Sequence, residues 1–130
     1  MHVAELIWNS WENGQKITSL PKKLIPSSRK EAYKIQENLE KCSNDTTVGW
    51  KIAATSKEGQ KHIAVGGPLA GRILHNKLYK PEDTLIFGHN KMAVAEPEFA
   101  FKIGETLKPK KTLYNLQDVM KLVKSLHLSI

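Results

Sequence analysis

Thr47-Val48-Gly49-Trp50-Lys51-Ile52-Ala53-Ala54-Thr55 is the stretch that decides the fold class. Side chains alternate across a strand with a period of two. Val48, Trp50, Ile52 and Ala54 therefore share one face, and Thr47, Gly49, Lys51, Ala53 and Thr55 share the other. Lys51 projects from a row of small residues, opposite the bulky face. A strand at this position follows sequence of a quite different period, so helices and strands belong to one chain.

Upstream, residues 28–43 have the period of a helix. Ser28 and Glu31 stand at capping-box spacing, and Ala32, Ile35, Leu39 and Cys42 form one apolar stripe. Asn44-Asp45 then marks a turn. Residues 3–13 predict a shorter helix on Val3, Leu6, Ile7 and Trp11, stopped by Asn13-Gly14. Residues 15–27, with Pro21 and Pro26, form a connecting loop. Downstream, residues 56–63 predict a short helix after Ser56, and Val65-Gly66-Gly67-Pro68 is a loop. Residues 69–75 fit either period. Residues 83–87 and 91–103 predict two strands around the Gly88-His89-Asn90 turn, paired as a hairpin. Residues 115–126 predict a closing helix capped by Asn115, and 127–130 the beginning of a strand.

Composition narrows the classes of function. The 130 residues suit one domain, with 40% hydrophobic and 25% charged residues, which excludes wholesale disorder. The net charge of +7 raises nucleic acid, acidic partners and anionic substrates as candidates. The lysines are scattered, however. Their densest group, Lys108, Lys110 and Lys111, is broken by Pro109 and has no run of aromatic residues beside it. A nucleic-acid platform is not expected, because single strands are bound by aromatic stacking as well as by charge. The single cysteine, Cys42, excludes an internal disulfide and fits the apolar stripe as a packing residue. No stretch has the apolar length of a membrane span, and the first residues lack a signal-peptide pattern. A cytoplasmic protein with no membrane contact is the expectation.

Four residues carry chemistry. Glu96 and Glu98, two apart in the predicted strand 91–103, are expected on one face, where paired carboxylates favour a divalent cation between them. Hard ions such as Mg2+ and Mn2+ take such oxygen ligands. By spacing alone, two glutamates facing water is the simpler account. Lys51 is placed to bind or deprotonate an acidic substrate, and Arg72 to pair with a carboxylate, although both residue types are ordinarily found on solvated surfaces. The five histidines show no zinc-ligand spacing, and neither a nucleophile elbow nor a phosphate-binding glycine loop is present.

Five segments, taken in order, resemble the 2-keto-4-pentenoate hydratase branch of the fumarylacetoacetate hydrolase superfamily. They are Ala32-Tyr33-Lys34-Ile35-Gln36, Gly49-Trp50-Lys51-Ile52-Ala53-Ala54-Thr55-Ser56, Gln60, Val65-Gly66-Gly67-Pro68-Leu69-Ala70-Gly71-Arg72, and Glu96-Pro97-Glu98-Phe99-Ala100-Phe101. The likeness runs across essentially the whole chain. It implies an α+β fold, with an N-terminal helical region over 1–46 and, over 47–130, the first part of a mixed β-roll. It also implies a metal-dependent hydro-lyase acting on 2-hydroxy-2,4-dienoates or 2-oxo acids, as in the catabolism of aromatic compounds. In that reading Glu96 and Glu98 are two of three ligands to Mg2+ or Mn2+, Lys51 is the active-site lysine, Arg72 binds substrate, and the full-length protein is a homo-oligomer.

Leu69 stands where hydratases often carry an aspartate used in proton transfer, and Gly66 stands at a second acidic position. The alternatives are therefore a 2-oxo acid decarboxylase of the same superfamily, or an inactive remnant serving as an interaction module. The resemblance places the third metal-binding glutamate just beyond Ser125-Leu126-His127-Leu128-Ser129-Ile130. A truncated chain is the expectation.

Overall fold

A computed structural model describes residues 2–86 and 92–130. The chain forms two compact units, Met1–Lys91 and Met92–Ile130. The fold is α+β, as the alternating and helical periods predict. Its strands form two separate antiparallel two-stranded ribbons. The rolled mixed sheet implied by the resemblance does not occur among the described residues.

In the first unit, helix α1 spans Val3–Glu12 and helix α2 spans Arg29–Ser43. The α1 cap is His2: its Nδ1 accepts the Ala4 N–H at 3.3 Å, while Glu5 accepts the His2 N–H at 2.9 Å. Ser28 caps α2 by accepting the Glu31 N–H at 3.2 Å. The reciprocal half of the expected box is shifted by one residue. Glu31 accepts the Ser27 N–H at 2.7 Å and the Ser27 hydroxyl at 2.9 Å. These bonds hold its carboxyl below the usual carboxylate range. Asn44, in the left-handed region at φ 51°, ends α2.

Strand β1 (Thr47–Ala53) follows, then helix α3 (Lys57–His62), then strand β2 (Leu69–Leu74). The ambiguous 69–75 stretch is thus a strand, which pairs antiparallel with β1. Trp50 lies opposite Arg72, Lys51 opposite Gly71 and Ile52 opposite Ala70. A bulge between Thr47 and Gly49 offsets the two ends. The period-two expectation for β1 holds, and burial alternates with it. Val48, Trp50 and Ile52 are exposed, and the small-residue face is the half-covered one. A two-stranded ribbon covers little on its own.

Helix α2 closes the outer edge of β2. Ala70 points both backbone polar groups away from β1. Its N–H donates to Tyr33 Oη and its C=O accepts from Gln36 Nε2, each at 3.0 Å. The turns are tied in the same manner. The Asp45 carboxylate accepts the Thr46 N–H at 2.8 Å and the Asn76 N–H at 2.7 Å, so it links the start of β1 to the end of β2. The Asn76 N–H is the main cause that holds this carboxyl below its ordinary value of 3.8, with His75 and Lys77 adding to the effect. The folded-state value is depressed, so the stabilisation is complete above the ordinary value and is lost as pH falls through the depressed one. Asp45→Asn is therefore expected to lower stability at neutral pH by a margin that shrinks in acid below about pH 4. Urea unfolding of both proteins across that range is the check, and a margin independent of pH would refute it.

In the second unit, strand β3 spans Glu98–Ile103, helix α4 spans Leu116–Met120 and strand β4 spans Val123–Ser129. Three expectations are corrected here. The predicted strand 91–103 begins only at Glu98, because Pro97 has no N–H to give a ladder. Its partner is β4, with Phe99 opposite Leu128 and Phe101 opposite Leu126. Residues 83–86 form no strand, and Phe87, the 88–90 turn and Lys91 lie outside the described residues. The predicted helix 115–126 stops at Met120, with Asn115 accepting the Asp118 N–H at 2.8 Å as expected. Val123 and Leu126 belong to β4 instead. Three residues apart, they suit a helical stripe, but Leu126 and Leu128 also have strand spacing, and cross-strand partners decide the matter.

Apolar cover is scarce throughout. Among the described residues, the apolar side chains less than a tenth exposed are Val3 (8%), Ala4 (0%) and Leu74 (4%). Accessible surface totals 10982 Å². A compact chain of 14.7 kDa exposes about 6,900 Å², and two separate compact units of these lengths about 8,200 Å².

Candidate functional site

The sequence-predicted site residues fall into both units. Lys51 and Arg72 belong to the first, Glu96 and Glu98 to the second. Within the first unit the ribbon separates Lys51 from Arg72. Opposed residues of an antiparallel pair share a face and neighbours alternate. Lys51 therefore shares its face with Gly71, and Arg72 shares the opposite face with Trp50. Lys51 is half-buried among Gly49, Ala53 and the β2 residues opposite them. Gly71 stands directly opposite it, with Ile73 and Leu69 opposite Gly49 and Ala53.

Arg72 is held from two sides. Its guanidinium donates to Glu40 Oε2 at 2.9 Å and lies 4.8 Å from the centre of the Trp50 ring. A longer contact of 3.4 Å reaches Thr47 Oγ1. The second oxygen of Glu40 accepts the Thr47 N–H at 3.1 Å, so one carboxylate joins α2 to both strands. With its side chain only 24% exposed, Arg72 is not a freely solvated arginine. The expected pairing with a carboxylate exists, and the partner is the chain's own Glu40.

Beside this cluster is an open depression of about 710 Å³, lined by Tyr33, Lys34, Gln36, Glu37, Trp50 and Arg72. Lys30 and Glu31 also line it, and two of its cations, Lys34 and Arg72, are held in ion pairs with Glu37 and Glu40. Lys34 donates to Glu37 at 3.1 Å and is the main cause holding the Glu37 carboxyl below the usual range. Pairs of this kind stiffen the contact between helix and ribbon, and they offer an anion less than the formal charges suggest.

Tyr33, Gln36 and Glu40 are structural partners that the sequence reading passed over. Their signal was present as a second stripe. Spaced by three and four, they occupy one side of α2, next to the apolar stripe that attracted attention. Gln60 plays a similar part at the end of β1. Its side chain donates to the Ala54 carbonyl at 3.0 Å and holds a residue in the left-handed region at φ 55°. A non-glycine residue in that region is costly and is kept only where the surroundings fix it.

In the second unit, Glu98 opens β3 opposite Ser129, whose hydroxyl donates to the Glu98 carbonyl at 3.4 Å. Glu96 precedes the strand. The shared face expected for the two glutamates rested on both lying in one strand, and the start of β3 at Glu98 removes that argument. Carboxylate oxygens remain the right donors for a hard divalent ion. Among the described residues, no group of three or more His, Cys, Asp or Glu side chains is placed to hold a metal ion. The donor chemistry therefore fits a cation, while a third protein ligand is not supplied by these residues.

The basic cluster is also engaged. Lys110 pairs with Asp118 at 3.2 Å and sits 3.9 Å over the Tyr114 ring, and the Tyr114 hydroxyl donates to the Lys108 carbonyl. No helix among the described residues is long and apolar enough to cross a membrane. Comparison with known protein families, with curated proteins and with solved structures finds no match to this chain.

Proposed function

We propose that this chain carries the residues of a metal-dependent hydro-lyase acting on 2-hydroxy-2,4-dienoate or 2-oxo acid substrates. The observation that supports the reading is how the resembling segments engage one another. Tyr33 and Gln36 bind the backbone of Ala70, and Gln60 binds the carbonyl of Ala54. The first segment is thus bonded to the fourth and the third to the second, as expected if they derive from a common scaffold. That scaffold presents Lys51 from a half-buried row of small residues.

In this reading Glu96 and Glu98 hold Mg2+ or Mn2+, which when bound supplies Lewis-acid polarisation of a 2-oxo group. Lys51 contributes a positive charge that attracts the substrate carboxylate, or a nitrogen that moves a proton. Arg72 acts indirectly, because Glu40 and Trp50 already engage its guanidinium. The decarboxylase alternative uses the same groups. An inactive interaction module is favoured by a different observation: two carboxylates without a third ligand among the described residues, beside Leu69 in the loop.

The readings separate in a calorimetric Mn2+ titration combined with a hydration assay on a 2-hydroxydienoate. Glu98→Gln is expected to weaken Mn2+ binding at least tenfold, about 1.4 kcal/mol. Lys51→Ala should leave that binding unchanged and slow turnover about a hundredfold or more. Absence of Mn2+ binding by the unaltered chain, or binding indifferent to Glu98→Gln, would sink the hydro-lyase reading and leave the module.

A further inference from the structure

We infer that Trp8, Trp11 and Glu12 form a binding site for a small organic cation bearing a methylated ammonium group, and that Lys77 occupies this site from within the chain. The three residues are spaced by three and four along α1, so they share one side of the helix. The two indole rings meet edge to face, with centroids 5.5 Å apart and planes inclined by 66°. They form the two walls of a corner, to which Glu12 adds a carboxylate. The Lys77 ammonium lies over both rings, 5.2 Å from the centre of Trp11 and 5.9 Å from that of Trp8, and donates to Glu12 Oε1 at 3.0 Å. Aromatic faces attract cations through the ring quadrupole, and sets of such faces are the means by which proteins recognise quaternary ammonium groups.

The distances favour a methylated cation over the lysine that is there. In the same chain, Lys110 meets the Tyr114 ring at 3.9 Å, a close contact for a bare ammonium. Lys77 stands more than an ångström farther from each of its rings, near the limit of about 6 Å for this attraction. An N–C bond is about 1.5 Å long, so an N-methyl group fills that interval and a bare ammonium does not. Anchorage favours a displaceable occupant. Lys77 ends the single helical turn His75–Lys77, whose backbone is already tied to the start of β1. The Asn76 N–H donates to Asp45 at 2.7 Å and the His75 N–H to the Thr46 carbonyl at 2.9 Å. The Lys77 side chain can therefore leave the corner without freeing that turn, and an incoming cation keeps Glu12 paired. Access is open as well: Trp11 is 50% exposed and Glu12 is exposed beside it, so a solute reaches the rings from outside. None of these four residues enters the hydro-lyase reading, and the inference does not depend on it.

Titration of the 130-residue chain with tetramethylammonium chloride, against sodium chloride at equal ionic strength, tests it. The readout is the indole N–H signals of Trp8, Trp11 and Trp50 in NMR spectra, with Trp50, in β1, as the internal control. In Lys77→Ala, which opens the corner, the Trp8 and Trp11 signals should shift saturably with a Kd of about 1 mM, and the Trp50 signal should stay in place. Lys77→Gln, a second way of removing the charge, should behave alike. In the unaltered chain the same shifts should need about tenfold more of the cation, because the tethered lysine competes at a high effective concentration. In Lys77→Ala, ammonium chloride and uncharged tert-butanol should each bind about tenfold more weakly than tetramethylammonium, and so should tetramethylammonium itself once Glu12→Gln is added. Choline and the amide of trimethyllysine carry the same group, and binding of either at these signals supports the site, the tighter of the two naming the source. Unmoved Trp8 and Trp11 signals in both Lys77 variants would overturn the inference. So would equal affinities with and without Lys77, equal affinities for ammonium and tetramethylammonium, or a Trp50 signal that moves with the other two.

Discussion

Leu74→Ala is expected to destabilise the first unit by about 3 kcal/mol, the largest effect of any single apolar truncation in it. Leu74 is the last residue of β2 and, at 4% exposure, the most covered large side chain among the described residues. Truncating a buried leucine loses its transfer free energy and leaves a cavity that neighbours fill only in part. In a well-packed domain the loss would be spread over many buried residues. Here Val3 and Ala4 are the other well-covered apolar side chains, so one leucine represents a large share of the whole. Small domains have only about 5–15 kcal/mol of net stability, and a change of this size brings a poorly covered chain close to unfolding at room temperature. Urea denaturation followed by tryptophan fluorescence reads the effect, since Trp8, Trp11 and Trp50 all belong to this unit. Leu78→Ala is the control. Leu78 is 65% exposed, and its truncation should cost less than about 0.5 kcal/mol. Equal costs at the two positions would show that Leu74 is not part of a packed core.

The second large effect is expected at Tyr33 and Gln36. Tyr33→Phe removes the acceptor of the Ala70 N–H, and Gln36→Met removes the donor to the Ala70 carbonyl. Each change keeps the bulk of the side chain and leaves a backbone group without its partner. A backbone group deprived of its partner in a part-buried place costs about 1–3 kcal/mol, less where water reaches it. Each single variant should therefore lose about 1 kcal/mol, and the double variant about 2–3 kcal/mol, with some coupling because both bonds serve one residue. Amide exchange at Ala70 should accelerate in Tyr33→Phe and leave the central β1 amides little changed. If both single variants kept the stability of the unaltered protein, water would be shown to replace the two side chains at no cost.

Local features of the fold could be read from the residues. Ser28, Ser56 and Asn115 announce three helix starts, and each accepts the N–H of the residue three places on. The alternation of β1 is equally plain, because the large apolar residues Val48, Trp50 and Ile52 fall at every second position. What escaped depends on distant partners. Leu69-Ala70-Gly71-Arg72-Ile73-Leu74 alternates poorly and becomes a strand only because β1 and α2 provide bonds on both sides. The pairing of β3 with β4, and not with residues 83–86, is likewise settled across the chain, which no local window contains. His2 is not a residue favoured as a helix cap, so α1 gave no conventional warning of its start.

The candidate site divides along the same line. Alternation alone placed Lys51 on the small-residue face, and the structure keeps it there. The Arg72–Glu40 pair joins residues far apart in the chain, so only the packed helix reveals it. For Glu96 and Glu98 the sequence offered spacing, but spacing implies a shared face only inside a regular strand. Pro97 stands between them, and the strand starts on its far side. Pro97 has no N–H to give, and the ladder begins only after it.

The bonds from Tyr33 and Gln36 to Ala70 also give the first ribbon a guarded edge. Their side chains occupy the hydrogen-bonding positions at which a neighbouring strand would dock along β2. A strand arriving along β2 would have to displace both side chains from Ala70 before it could pair there, so helix α2 protects that edge at this position.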